Sequence, residues 1–173
     1  HPALSADGNT LYFVSDMPGG QGGSDIWRST RDGGGWNTPE NLGATVNTAG
    51  NEAFPVVNGD ALYFSSDAHH NLGGLDIFET HQTGEKWTEP RNLNYPVNTE
   101  HDDFSLVIDK RVGIAGDTTM SGYLSSSREG TDQVYTFWAV APVFMVEGEV
   151  TDIEGNYLPN VEVTLAELLT EED

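Results

Sequence analysis

Apolar residues along this chain come in short runs divided by polar and glycine-rich gaps, the rhythm of strands and turns. Four such runs fall within one stretch: Phe54 to Val57, Ala61 to Ser66, Asp76 to Thr80 and Lys86 to Thr88. Asn58-Gly59-Asp60, Asn71-Leu72-Gly73-Gly74 and Gln82-Thr83-Gly84-Glu85 divide them, each built of residues that favour turns. The runs Leu11-Tyr12-Phe13 and Leu62-Tyr63-Phe64 are apolar without interruption, which predicts middle strands covered on both faces. Trp87-Thr88-Glu89 alternates, which predicts a strand nearer the rim.

The runs repeat. Leu11-Tyr12-Phe13 returns as Leu62-Tyr63-Phe64, and Gly22-Gly23-Ser24-Asp25-Ile26-Trp27 as Gly73-Gly74-Leu75-Asp76-Ile77-Phe78, both 51 residues on. Trp36 and Trp87, Pro39 and Pro90, Asn41-Leu42 and Asn92-Leu93, and Val46-Asn47 and Val97-Asn98 keep that offset. A degraded third copy runs from Phe104. In it Tyr123-Leu124-Ser125-Ser126 stands for Tyr63-Phe64-Ser65-Ser66, Ser127-Arg128 replaces the Ser66-Asp67 ending, and Gly130 to Tyr135 continues the Gly-x-Asp-x-aromatic theme. This copy carries an insertion and lacks the later Trp-x-x-Pro. Repeats of about 40 to 50 residues with four short strands each mark β-propeller blades. The expected fold is therefore all-β, with about three four-stranded blades in an incomplete ring, because closure takes about 4 to 8 blades. Further blades, the rest of a second domain, or partner copies are expected to complete it.

Pro-x-Leu-Ser-x-Asp-Gly-x-x-Leu-Tyr-Phe-x-Ser-Asp at Pro2 to Asp16, followed by Gly-Gly-x-Asp-Ile-Trp, resembles the TolB-type (WD-like) propeller repeat. The connection through Trp36-Asn37-Thr38-Pro39-Glu40-Asn41-Leu42 to Val46-Asn47-Thr48 is similar to the version in OmpA-family envelope proteins. The likeness covers roughly residues 1 to 140.

At Ala141-Pro142 the pattern changes. Val146, Gly148 and Val150 alternate, Asp152 to Pro159 is turn-rich, and Val161, Val163 and Leu165 alternate again, a hairpin-like pair with one apolar face. Gly148 to Leu165 resembles the start of a carboxypeptidase regulatory-like, transthyretin-like β-sandwich. A sandwich takes about 7 strands over about 100 residues, so residues 141–173 are expected to be only its beginning. Ala166 to Asp173 is short and acidic.

Propeller repeats followed by such a module are similar to OmpA-family, peptidoglycan-associated lipoproteins, notably the component of the type IX secretion machinery. The resemblance implies a periplasmic, outer-membrane-associated scaffold whose partners are envelope proteins of a secretion or outer-membrane complex. Peptidoglycan would be reached only through a domain outside this sequence.

Composition narrows the classes further. The 173 residues carry 28 acids against 7 bases, a net charge of -21. That balance argues against nucleic acid, which is bound through clustered Lys and Arg, and equally against a basic membrane anchor. The longest uncharged apolar stretch, Thr136 to Val146, is far short of the ~20 residues of a membrane helix. With no cysteine there is neither a disulfide framework nor a thiolate metal site.

Candidate sites are few. The sialidase box Ser-x-Asp-x-Gly-x-x-Trp is unmatched at Ser65-x-Asp67, where Ala68, His69 and His70 follow, and Arg28, Arg31, Arg91, Arg111 and Arg128 are the only arginines. His69-His70, near Asp67 and Asp76, is the best metal-like cluster. Neighbouring strand residues point to opposite faces and the first repeat has no His there, so a solvated loop is expected and no metal. Asp25, Asp76 and Asp132 recur and read as turn carboxylates accepting backbone N–H groups, with a cation ring as the other reading. Glu100-His101-Asp102-Asp103 lacks calcium-loop spacing and reads as an exposed connection. Gly19-Gly20-Gln21-Gly22-Gly23 precedes a strand, not a phosphate-binding helix. Trp27, Trp36 and Trp87 are expected to pack between blades, while Trp138 has no counterpart.

These readings imply no catalytic residue and no cofactor. The expected function is a non-enzymatic envelope scaffold, with partner-facing loops at Met17 to Ser24 and Ala68 to Leu75. Met17, Gln21, Ser24, Ala68, His69, His70 and Leu75 are their candidate binding residues. A glycan-binding or glycan-cleaving propeller is the alternative.

Overall fold

A computed structural model describes residues 1–109, 118–140 and 151–157. The chain divides into two compact units, His1–Ala141 and Pro142–Asp173. All regular structure among the described residues is β, in three antiparallel sheets, none closed on itself.

The first sheet runs in the order β1 (Pro2–Leu4), β2 (Thr10–Ser15), β3 (Asp25–Thr30), β4 (Glu40–Asn41). The second follows the same plan with β5 (Glu52–Asn58), β6 (Ala61–Ser66), β7 (Asp76–Thr83) and, both on β7, β8 (Lys86–Trp87) and β9 (Arg91–Asn92). The third has β10 (Asp103–Ile108), β11 (Thr118–Ser126) and β12 (Gln133–Val140).

The 51-residue spacing reappears as strand register. Phe13 pairs with Trp27 as Phe64 pairs with Phe78, and Arg28 with Glu40 as Glu79 with Arg91. The Lys86 to Thr88 run expected as a fourth strand does only half that work. Trp87 pairs with Gln82 at the far end of β7, as Trp36 bridges Arg31, and Arg91–Asn92 then takes the near end. Pro39 and Pro90 stand between the two pairings, where a residue without an N–H costs no ladder bond.

The offset continues into the third sheet. Asp103 opposes Ser126 as Glu52 opposes Ser66, and both first strands bulge at the same point, with Phe54 and Ser105 at φ 52° and 56°. Two sequence assignments shift here. Ser126 holds the place of Ser66, as the alignment of Tyr123 to Ser126 expects, so the ending Ser127-Arg128 stands for Asp67-Ala68 and not for Ser66-Asp67. Gln133, not Asp132, opposes Ser126 where Asp76 opposes Ser66. Asp132 is exposed and one residue before the strand.

The first strands β1, β5 and β10 are neighbours in succession, and each new first strand packs over the preceding sheet. The core therefore lies in two seams. Tyr12, Ile26, Val46, Leu62, Phe64 and Phe78 fill the first; Ala61, Tyr63, Ile77, Leu106 and Leu124 form the second. Every residue of β6 is buried because a sheet covers each of its faces, as its uninterrupted apolar run predicts. Only Tyr12 is buried in β2, which has a described sheet on one side.

In the second unit, Thr151 and Tyr157 form an antiparallel bridge around a turn. Asp152 Oδ2 accepts the Asn156 side-chain amide and Oδ1 the N–H groups of Asn156 and Glu154, and these bonds, the side-chain one foremost, hold its carboxyl below the usual aspartate value. The alternating runs 146–150 and 161–165 and the acidic stretch 166–173 lie outside the described residues.

Candidate functional site

Each seam is latched by one loop. Gly23 N–H donates to Gly50 O at 2.7 Å, Ser24 N–H to Asn51 Oδ1 at 3.1 Å, and Glu52 N–H to Ser24 O at 2.7 Å. In the second seam Leu75 N–H donates to Asp102 Oδ1 at 2.8 Å and Asp103 N–H to Leu75 O at 2.6 Å. A Cβ on Gly22 would collide with the carbonyls of Thr48 and Ala49, and one on Gly73 with those of Thr99 and His101. Both glycines exist for this approach of backbone to backbone.

Behind the latch runs a buried polar chain that repeats atom for atom. Asp25 Oδ2 accepts Gln21 N–H and the Asn41 amide; Asn41 Oδ1 accepts the Asn47 amide; Asn47 then pairs with both the N–H and the C=O of Ile26 at 2.8 and 2.9 Å. Asp76, Asn92, Asn98 and Ile77 repeat it, with Leu72 N–H in the place of Gln21 N–H. Asp25 and Asp76 thus hold the turn carboxylate role expected of them, and Asp132 stands outside the pattern. The asparagine amides, which sequence reasoning left without a role, supply the partners that a longer fourth strand would give. Their recurrence at the repeat offset was the signal.

Glu52 and Asp103 are fully buried one repeat apart. Glu52 accepts Thr48 N–H, Thr48 Oγ1–H and Ser66 Oγ–H. Asp103 accepts the same two groups of Thr99 and a 2.7 Å bond from Arg128. Asp103 therefore corrects the expected exposed connection: Glu100, His101 and Asp102 are exposed, while Asp103 is sealed in.

His69 departs from the expected solvated loop in the same way. It is half-buried, its ring lies 5.2 Å from Phe78 and 5.7 Å from Phe64, and Nε2–H donates to Val46 O at 2.8 Å. Arg128 does this work in the next seam, donating to Val97 O at 2.8 Å with its guanidinium 4.7 Å above Tyr135. A basic side chain caps the same carbonyl in both seams. His70 points out.

The two candidate partner-facing loops share one rim. Gly50–Asn51 lies between them, bonded to Gly23 on one side and, through Asn51 N–H, to Asp67 Oδ1 at 2.7 Å on the other. Of the candidate binding residues, Gln21, Ala68 and His70 are exposed and Met17 is half-buried, whereas Ser24 and Leu75 spend their backbone groups on the neighbouring sheet.

Two features were not anticipated. Between the second and third sheets an open groove of about 630 Å³ is walled by Leu93 and Val97 on one side and Met120, Leu124, Tyr135 and Phe137 on the other. On the second sheet, Tyr63 donates to Glu79 Oε1 at 2.6 Å while Arg91 holds Oε2 and His81 stands 3.7 Å away. Burial, then the bond to Glu79, pushes the Tyr63 phenol up. Burial also pushes Glu79 up, but Tyr63, Arg91 and His81 together outweigh it and hold Glu79 below the usual glutamate value. The ion pair of the first sheet, Arg28 with Glu40, sits at the same register with its charges exchanged.

Among the tryptophans, Trp27 is buried with Nε1–H on Ser15 O and Trp87 packs into the first seam. Trp36 departs from the expected packing: it is exposed, with Arg31 over its ring at 5.4 Å. Trp138 is exposed on β12. Comparison with protein-family models, curated proteins and solved structures returns no match.

Proposed function

We propose that residues 1–140 are blades of a β-propeller in a non-enzymatic scaffold of the cell envelope, binding protein partners along the rim formed by Met17 to Ser24 and Ala68 to Leu75. The succession β1, β5, β10, with a first sheet of four strands and a second of five, and one latch per seam, supports the blade reading. The observation that carries the partner surface is the rim itself. Its backbone is tied down by the latches, yet it holds Gln21, Ala68 and His70 out to solvent. A rigid frame with exposed side chains loses little entropy on binding. The envelope setting, the link to type IX secretion and the sandwich-like second module rest on the sequence resemblance alone.

The test uses the full chain as bait for solubilised envelope proteins. A defined set of captured proteins, lost when Gln21, Ala68 and His70 are all replaced by Asp, is the expected result. Hydrolysis of a glycan or peptide by the same protein would overturn the proposal. The exposure of Trp138, at 53%, favours one second reading, a glycan-binding surface, which retention of the chain on a glycan array would support.

A further inference from the structure

We infer that Asn58 is a site of spontaneous modification, its carboxamide being converted to a carboxylate through a cyclic imide formed with the backbone nitrogen of Gly59. Asn58 is the one asparagine in the chain that precedes a glycine; the others precede Thr, Leu, Glu, Tyr or Val. Gly59 brings no side chain to crowd the approach of its nitrogen to the neighbouring carboxamide.

The fold singles out the same residue on independent grounds. Asn58 ends β5 and pairs with Ala61 across the two-residue turn Gly59-Asp60, and Asn58, Gly59 and Asp60 are all exposed. Gly59 holds φ at 66°, as glycine does at the first position of such a hairpin loop. Every other described asparagine donates its side-chain amide to a fixed acceptor, as Asn9 does to Asp7, Asn47 to the Ile26 carbonyl and Asn156 to Asp152. The Asn58 carboxamide makes no hydrogen bond to a described residue, and neither does the Gly59 N–H. Electrophile and nucleophile are thus both untied.

Attack of the Gly59 nitrogen on Asn58 Cγ forms an N–C bond, and the amide nitrogen leaves as ammonia with the proton that Gly59 gives up. Water then opens the imide. Addition at Cγ leaves aspartate; addition at the backbone carbonyl carbon leaves isoaspartate, with the main chain running through Cγ. Asp7-Gly8 and Asp32-Gly33 share the glycine but offer an ionised carboxylate, which resists the same attack, and Asp7 is also held by Ser5 and Asn9. Either product adds a negative charge to the turn that carries Asp60, whose Oδ2 lies 3.3 Å from His81 Nδ1. This turn is at the opposite end of β6 from the rim, so the inference and the partner surface can fail separately.

The full chain is aged in warm neutral buffer made with heavy-oxygen water, and its peptides are mapped by mass spectrometry. The Asn58 peptide should gain the mass of amide-to-acid conversion with one heavy oxygen, ahead of every other asparagine peptide, and should separate into isoaspartate and aspartate forms. Gly59→Ala, whose methyl crowds the attack, should slow the change at least tenfold. If that variant, strained at a φ of 66°, does not fold, hydroxylamine supplies a second measurement: it opens the imide and severs the unsubstituted chain between Asn58 and Gly59 into two defined fragments. No conversion at Asn58, faster conversion at another asparagine, aspartate without isoaspartate, an unslowed Gly59→Ala, or no cleavage by hydroxylamine would each overturn the inference.

Discussion

The two seams share a backbone and differ in filling. Both are latched by a Gly-Gly loop, both have an asparagine amide paired to the strand that starts at an aspartate, and both carry a basic side chain over the same carbonyl. Yet Leu62 becomes Gly122, Phe64 becomes Leu124 and Phe78 becomes Tyr135, and the second seam holds a groove where the first packs Leu62, Phe64, Phe78 and Trp87 together. The register of stacked sheets is thus set by directional bonds that repeat, while apolar volume varies without moving the strands. Gly122 has a reason of its own: any Cβ there would run into the Val107 carbonyl.

The sharpest way to break the comparison is to empty both seams alike. Phe64→Ala removes a ring that is 1% exposed in a filled seam and should cost about 4 kcal/mol. Leu124→Ala, beside an existing groove, should cost about 2 kcal/mol, because part of its surroundings is already open. Urea unfolding of the two variants checks this. Equal losses would mean that the groove closes in solution and that the seams do not differ.

The basic caps give the next largest contrast. Arg128 is the ionic partner of Asp103, which is fully buried, so Arg128→Met strands a carboxylate and should cost about 3 kcal/mol. His69 only donates one bond and packs on rings; His69→Ala should cost about 1 kcal/mol. A loss at His69 as large as at Arg128, read from the same unfolding curves, would show that the caps are equivalent in energy as well as position.

How far such differences can be read from the amino acids depends on the kind of bond. Repeated spacing located β2, β6 and the latch glycines, since a central strand and a close backbone approach each restrict residue type strongly. It slipped at Asp132 because the β11–β12 turn is shorter: strand pairing resumes at Gln133, while the Gly-x-Asp motif points one residue earlier. It also read Asp103 and His69 as solvated. Polar residues look alike in and out of the core until their partners, here Arg128 and the Val46 carbonyl, are placed in space. The groove was invisible for a further reason, since it arises from what is smaller in one repeat than in another once register is known.

The exchanged ion pairs provide the finest test. Arg28–Glu40 and Glu79–Arg91 occupy one register position, but only Glu79 also receives a phenol, and its side chain is 13% exposed against 68% for Glu40. A carboxylate held below its unfolded value contributes stability that is present above that unfolded value and lost as pH falls through the folded one. Tyr63→Phe removes one of the groups holding Glu79 down, so the Glu79 pKa should rise and the acid limb of the stability curve should flatten. The loss near neutral pH should be about 1 kcal/mol. Glu40→Gln at the exposed pair should change stability by less than about 0.5 kcal/mol and leave the acid limb as it is, because solvent screens that pair. Carboxyl NMR titration of Glu79 alongside unfolding between pH 3 and 7 reads both effects. An unchanged Glu79 titration in Tyr63→Phe would show that Arg91 and His81 hold the charge without the phenol.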